Sequence, residues 1–169
     1  MKSFTTLFLS ILLWLSSCST DKINEDLNTL DIETNTETNT ETDGVGAVTN
    51  VSVSGSENEY RFSVTVRSPD TGCDQYADWW EVIDLEGNLI YRRVLGHSHV
   101  NEQPFTRSGG PIAISRDQQV YIRVHMNNSS YGVNALEGNV SGGFTATELE
   151  IDFAKTLENE APLPNGCAF

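Results

Sequence analysis

The chain has 169 residues, 24 of them acidic and 10 basic, and a formal net charge of −14 at pH 7. So many carboxylates repel a phosphate backbone, which excludes nucleic acid as a partner. Hydrophobic residues make up 38% of the chain. This is enough, at this length, for one folded domain with appendages.

An apolar stretch near the N-terminus follows Lys2 and runs from Phe4 to Leu15. A membrane-spanning helix needs about 20 apolar residues, so this stretch is too short to cross a bilayer. A positive start followed by a short apolar run is typical of an export signal. We therefore predict that residues 1–17 are a signal peptide.

The export signal ends in Leu15-Ser16-Ser17-Cys18. An aliphatic residue, two small residues and a cysteine resemble the lipobox of bacterial lipoproteins. The resemblance implies that the Cys18 thiol carries diacylglycerol, that the chain is cut before Cys18, and that a fatty acid such as palmitate acylates the new amino group. Two or more acyl chains hold a protein stably on a bilayer, so the predicted partner is a membrane. The alternative is an ordinary secretory signal in which Cys18 has no role.

The residue after the lipobox cysteine bears on the location of the protein. In the lipoprotein family an Asp at this position favours retention in the inner membrane, whereas this chain has Ser19. The resemblance therefore implies an outer-membrane lipoprotein, facing either the periplasm or the cell surface.

Residues 18–43 are predicted to form an acidic tether. They contain the repeated tetrad Glu-Thr-Asn-Thr, starting at Glu33 and Glu37, and eight acidic residues against Lys22. Low-complexity polar sequence does not build a core, and repulsion between like charges extends it. A calcium-binding loop is the alternative, but no glycine lies among the acids where an EF-hand requires one.

From residue 44 to residue 169 the pattern changes to period-two alternation, which predicts half-buried strands. Glycine, asparagine and serine turns separate the apolar runs. Seven or eight short strands with no clear amphipathic helix predict an all-β, antiparallel β-sandwich of immunoglobulin or fibronectin type. In residues 146–157 a helix competes, but the alternation favours a strand. The predicted strands are Ala47–Ser54, Tyr60–Arg67, Asp78–Leu85, Leu89–Leu95, Ile112–Ser115, one starting at Val120, and Thr147–Phe153.

If Cys18 carries lipid, two cysteines remain, Cys73 and Cys167. Two cysteines in an exported protein predict one disulfide. A metal–thiolate pair is the alternative, although the two lack the close CxxC spacing of such sites.

Three segments have unusual composition: Gly72–Trp80, Gly96–Pro111 and the ending Pro162–Phe169. Together they resemble a set of uncharacterised secreted bacterial proteins. The resemblance implies no activity.

Histidines suggest a candidate metal site. His97 and His99 are two residues apart, so on an extended segment both rings project from one face about 6.5 to 7 Å apart. With His125 they are candidate ligands for a single zinc or copper ion, helped by Met126 if the ion is copper. The alternative is that His97 and His99 hydrogen-bond to the backbone of a structured loop.

Two adjacent tryptophans suggest a candidate ligand platform. Trp79 and Trp80 lie on one predicted strand and face opposite ways, so only one belongs to the core. The other is expected to be partly exposed and, with Tyr76 or Tyr91, to offer a stacking surface for sugar rings. The alternative is that residues 97–111 cover it.

The chain contains no nucleophile elbow, phosphate-binding loop, dinucleotide-binding motif or zinc-protease motif. The acidic residues near the tryptophans (Asp74, Asp78 and Glu81) are expected to be solvated, and the arginines (Arg92, Arg93, Arg107, Arg116 and Arg123) to balance surface acids. The predicted role is therefore binding or structural rather than catalytic. The partner, a protein or a glycan, is not identified by the sequence.

Overall fold

A computed structural model describes residues 44–168 of the chain. The predicted signal peptide, Cys18 and the tether lie outside the described residues. Within residues 44–168 no helix is long and apolar enough to span a membrane.

The described residues form nine β-strands and one short 3₁₀-helix, Lys155–Asn159. All of the paired strands are antiparallel. In chain order the strands are β1 Ala47–Ser54, β2 Tyr60–Arg67, β3 Ala77–Ile83, β4 Leu89–Val94, β5 Phe105–Ile112, β6 Val120–Met126, β7 Ser130–Tyr131, β8 Asn134–Asn139 and β9 Gly143–Glu148.

The strands form two sheets. One has the order β1-β2-β5, and the other has the order β4-β3-β6-β8-β9 with the short β7 beside β6. This confirms the predicted all-β antiparallel sandwich. The first sheet and strands β4-β3-β6-β8 of the second have the A-B-E and C′-C-F-G order of a fibronectin-like domain, to which β9 adds a further strand.

Alternation along the strands builds the core between the sheets. In β2 the side chains of Tyr60, Phe62, Val64 and Val66 are buried while those of Arg61 and Arg67 are exposed. Strand β3 differs because every one of its residues is buried. A strand buried on both faces must be covered on its outer side as well.

The prediction of a strand at Ile112–Ser115 is wrong, because the strand here is β5, which ends at Ile112. Gly109, Gly110 and Pro111 had obscured its alternation. Gly109 is required by packing: a Cβ at this position would lie 2.7 Å from the Tyr91 hydroxyl oxygen and 2.9 Å from Cη2 of Trp80.

The prediction of a strand at Thr147–Phe153 is also wrong beyond Glu148, and β8 was not predicted at all. Residues 149–159 instead turn and enter the 3₁₀-helix. They lie over the outer face of the six-stranded sheet, where Phe153 packs edge-on against Tyr121 and Leu157 is buried. The apolar residues of this segment therefore cover a sheet instead of extending it.

Candidate functional site

The three segments of unusual composition meet at one end of the sandwich. The predicted disulfide joins Cys73 to Cys167, with a Cα–Cα distance of 5.7 Å. Beside it, His97 and Ala168 form a parallel β-bridge, in which the Ala168 N–H donates to the Gly96 carbonyl at 2.9 Å. The C-terminal segment is thus fixed against the loop between β4 and β5.

A buried carboxylate organises the same end. Asp70 accepts hydrogen bonds from the Ser68 hydroxyl at 2.6 Å and from the Ala77 N–H at 3.0 Å through Oδ1. Its Oδ2 accepts the backbone N–H of His99 at 2.7 Å. Asp70 therefore joins the loop after β2 to the loop after β4. Sequence reasoning missed this residue because a single acid after a strand resembles any surface acid.

His99 is buried at this junction, with a side chain closed to solvent. Its ring stacks on the core residue Phe105 at 3.7 Å between centroids. Burial, helped by the nearby positive charge of Arg107, lowers the pKa of His99 to about 4, so the ring is neutral at pH 7. Neither ring nitrogen has a hydrogen-bond partner among the described residues. For His99, the alternative that the ring hydrogen-bonds to the backbone of the loop is therefore wrong.

An open pocket of about 450 Å³ lies beside His99, lined by residues 97–102 and Ala168. Near it, the Glu102 carboxylate accepts a hydrogen bond from Arg107 at 2.7 Å. This hydrogen bond lowers the pKa of Glu102. The charge of Glu102 is consequently paired.

The structure does not bring the three histidines together. His97 and His99 do form a pair, with ring centroids 4.2 Å apart. His125 instead faces the outer side of the six-stranded sheet, where its ring stacks on Trp79 and its Nδ1 lies 2.6 Å from Asp78 Oδ1. Met126 points into the core. No group of three or more metal-ligating side chains occurs within residues 44–168, so the predicted three-histidine zinc or copper site is wrong.

The predicted exposed tryptophan platform is wrong as well. Trp80 lies in the core, and Trp79 is only 3% exposed although it faces the outer side of the sheet. Trp79 is covered by the His125 ring and by the Arg92 guanidinium, which lies 4.4 Å from the indole centroid. Tyr76 is also buried, and its burial raises the pKa of its hydroxyl. Both of these covering residues lie outside the segment 97–111, which had been the alternative cover.

A buried ionic cluster occupies the outer face of the same sheet. Glu81, expected to be solvated, is fully buried and accepts hydrogen bonds from Arg92 at 2.6 Å and from Arg123 at 2.9 Å. Neither arginine balances a surface acid. Asp78 is buried too, whereas Asp74 is exposed as expected.

The two arginines hold residues 153–160 in place on the outer face of the sheet. Arg92 donates to the Leu157 carbonyl at 2.8 Å and also to the Glu160 carbonyl. Arg123 donates to the Phe153 carbonyl at 2.7 Å. The two arginines supply hydrogen-bond partners for backbone carbonyls of this segment, including that of the buried residue Leu157, so the role of the cluster is structural.

Tyr131 completes this cluster and was also missed by sequence reasoning. The Arg123 guanidinium lies 3.5 Å from the centroid of its ring. Burial, together with the negative charge of Glu81, raises the pKa of the Tyr131 hydroxyl. One signal was available for the cluster in the sequence: Glu81 and Arg123 alternate with core residues on two central strands.

A comparison with known proteins finds a relative that matches part of this chain. Over 84 residues, 50% of this chain, the sequence is 39% identical to a protein of Halomicrobium mukohataei described as "Putative lipoprotein". The matched stretch covers 41% of the length of that protein. No protein-family model matches the chain, and no solved structure matches it.

Proposed function

We propose that the protein is a lipid-anchored protein of the cell envelope whose β-sandwich is a binding domain. The observation that carries the proposal is the position of Cys18 at the end of a short apolar run. The other two cysteines of the chain are joined to each other. Cys18 is therefore the cysteine left for lipid.

The description of the relative as a lipoprotein supports this proposal. In the proposed organisation, residues 1–17 are removed, Cys18 carries diacylglycerol and an amide-linked fatty acid such as palmitate, and residues 18–43 form the tether. Residues 44–169 then stand clear of the lipid surface, because like charges extend the tether. Ser19 favours the outer membrane.

A binding role is preferred to a purely structural one because of the pocket beside His99. The buried carboxylates at the tryptophans do not suggest catalysis, since Glu81 is paired with two arginines and Asp78 contacts His125. We propose no reaction for this protein.

The anchor is tested on the full chain expressed in a bacterial host fed with an alkyne analogue of palmitate. The wild-type chain is expected to take up the label, to partition into detergent and to show a mass increase on its N-terminal peptide. Cys18→Ala removes the label, whereas the double variant Cys73→Ala/Cys167→Ala keeps it. An unmodified amino terminus, or release of the wild-type chain into the medium, contradicts the proposal.

Membrane location is tested separately by density fractionation of the same host. The wild-type chain is expected in the dense outer-membrane fractions. A Ser19→Asp variant is expected to move to the inner-membrane fractions if the sorting pattern of the lipoprotein family applies. Wild-type chain in the inner-membrane fractions overturns the outer-membrane assignment without affecting the lipid anchor.

A further inference from the structure

Buried polar atoms without partners mark places where a structure is incomplete without a ligand or water. Within residues 44–168 the buried side-chain nitrogen and oxygen atoms without a partner belong to Trp79, Trp80 and His99. Each indole lacks a partner for one N–H, but His99 lacks partners for both ring nitrogens. Of these three residues, only His99 is among those that line the open pocket.

The surroundings of His99 limit how a ligand can contact it. Phe105 stacks against its ring at 3.7 Å, nearly parallel, and the His97 ring lies 4.2 Å away. Phe105 therefore covers one face of the ring, and a ligand that contacts the nitrogens must approach them at the ring edge. Nδ1 lies 3.8 Å from Asp70 Oδ2, which is too long for a hydrogen bond.

Charge and hydrogen-bonding capacity indicate the chemical class of the ligand. A neutral imidazole donates one hydrogen bond and accepts one, and a hydroxyl group does both. The nearby Glu102 and Arg107 are paired with each other, so neither charge is free for an ionic ligand. Both features favour a neutral ligand rich in hydroxyl groups.

We propose that the pocket formed by residues 97–102 and Ala168 binds a neutral saccharide unit, with hydroxyl groups that donate to and accept from the His99 ring. The His99 side chain is closed to solvent, so binding requires the exposed His97 side chain, whose ring lies 4.2 Å away, to turn aside. The pocket volume of about 450 Å³ is in the usual range for small-molecule sites. The inference rests on the proposed binding role of the sandwich and adds the class of ligand.

The test uses the full mature chain in detergent and saturation-transfer NMR with four neutral probes: glucose, galactose, N-acetylglucosamine and glycerol. At least one saccharide is expected to show saturable transfer and to change the ¹⁵N shifts of the His99 ring. His99→Phe keeps the stacking on Phe105 but removes both nitrogens, so it should weaken binding at least about tenfold. His99→Gln, which retains a donor and an acceptor, should weaken binding less.

Ser108→Ala, on the outer face of the three-stranded sheet, is the matched control and should bind as the wild type does. Three results would overturn the inference: no saturable binding of any saccharide probe up to about 10 mM, unchanged binding by His99→Phe, or equal binding of glycerol and the saccharides. Failure here is separable from failure of the proposed anchor, because palmitate labelling is measured on the same preparations. A labelled chain that binds no saccharide overturns the pocket inference alone.

Discussion

Oδ2 of Asp70 accepts the backbone N–H of His99 at 2.7 Å, across 29 residues of chain. The other oxygen of the same carboxylate binds Ser68 and Ala77. One buried side chain thus sets the position of the loop that carries His99 and lines the pocket. Asp70 and the Cys73–Cys167 disulfide both fix loops at this end of the sandwich.

Asp70→Asn is expected to destabilise the fold by about 1–3 kcal/mol. The amide keeps the shape of the carboxylate but replaces one acceptor with a donor, so a buried donor loses its partner. The free energy of unfolding from urea titration measures the effect. Asp74→Asn changes an exposed acid in the same loop and should have almost no effect. Equal stabilities of the two variants would contradict this role for Asp70.

Glu81→Ala is expected to destabilise the fold by about 3–5 kcal/mol, because it leaves two buried guanidinium groups without their carboxylate. Thermal and urea unfolding of the variant check this. Glu102→Ala breaks an ion pair whose carboxylate is 59% exposed, and its effect should stay below about 1 kcal/mol. If Glu102→Ala proves the more damaging variant, the structural role of the buried cluster is wrong.

Lowering the pH is expected to decrease the free energy of unfolding through protonation of His99. Because folding lowers the pKa of His99 from about 6.5 to about 4, the unfolded chain binds more protons in this range and stability falls with decreasing pH. The contribution of neutral His99 to the free energy of unfolding is fully present above pH 6.5 and is lost as the pH falls towards 4. The total loss is at most about 3 kcal/mol. Urea unfolding at pH 7, 5 and 4 measures the slope.

His99→Phe serves as the comparison for this pH dependence. Its stability should fall less steeply than that of the wild type between pH 6.5 and 4, because other titrating groups are shared by both chains. Parallel curves for the two proteins would show that His99 titrates normally and is not closed to solvent.

Gly109→Ala should destabilise the fold by about 1–3 kcal/mol, because the new methyl group overlaps the buried Trp80 ring and the Tyr91 side chain. Gly96→Ala is the control, since nothing lies within 4 Å of a Cβ at that position. Its effect on the melting temperature should be small. A Gly109→Ala variant as stable as the Gly96→Ala variant would mean that β5 does not approach Trp80 so closely.

Local patterns were sufficient to predict several elements of the fold. Strand β2 was predicted with its correct bounds because Tyr60, Phe62, Val64 and Val66 alternate with polar residues. Cysteine counting indicated the Cys73–Cys167 pair that the structure joins. Strand β8 was missed because the sequence Asn-Ala-Leu-Glu-Gly-Asn has too few apolar residues to alternate.

The sequence by itself determined the class of fold, because the alternation of apolar and polar residues shows which side of each strand is apolar. Only the tertiary structure decided that the outer face of β3 is buried. There Trp79 is covered by His125 and Arg92. The arginines that pair with Glu81 also donate to backbone carbonyls of residues 153–160. The tertiary structure also placed His99 and His125 on different sides of a sheet. The physical reason is that the residue pattern shows whether a strand face prefers water or apolar surroundings. A charged or aromatic group on the polar face can be buried only where residues distant in the chain cover it and supply its hydrogen bonds, and the local pattern does not contain that information.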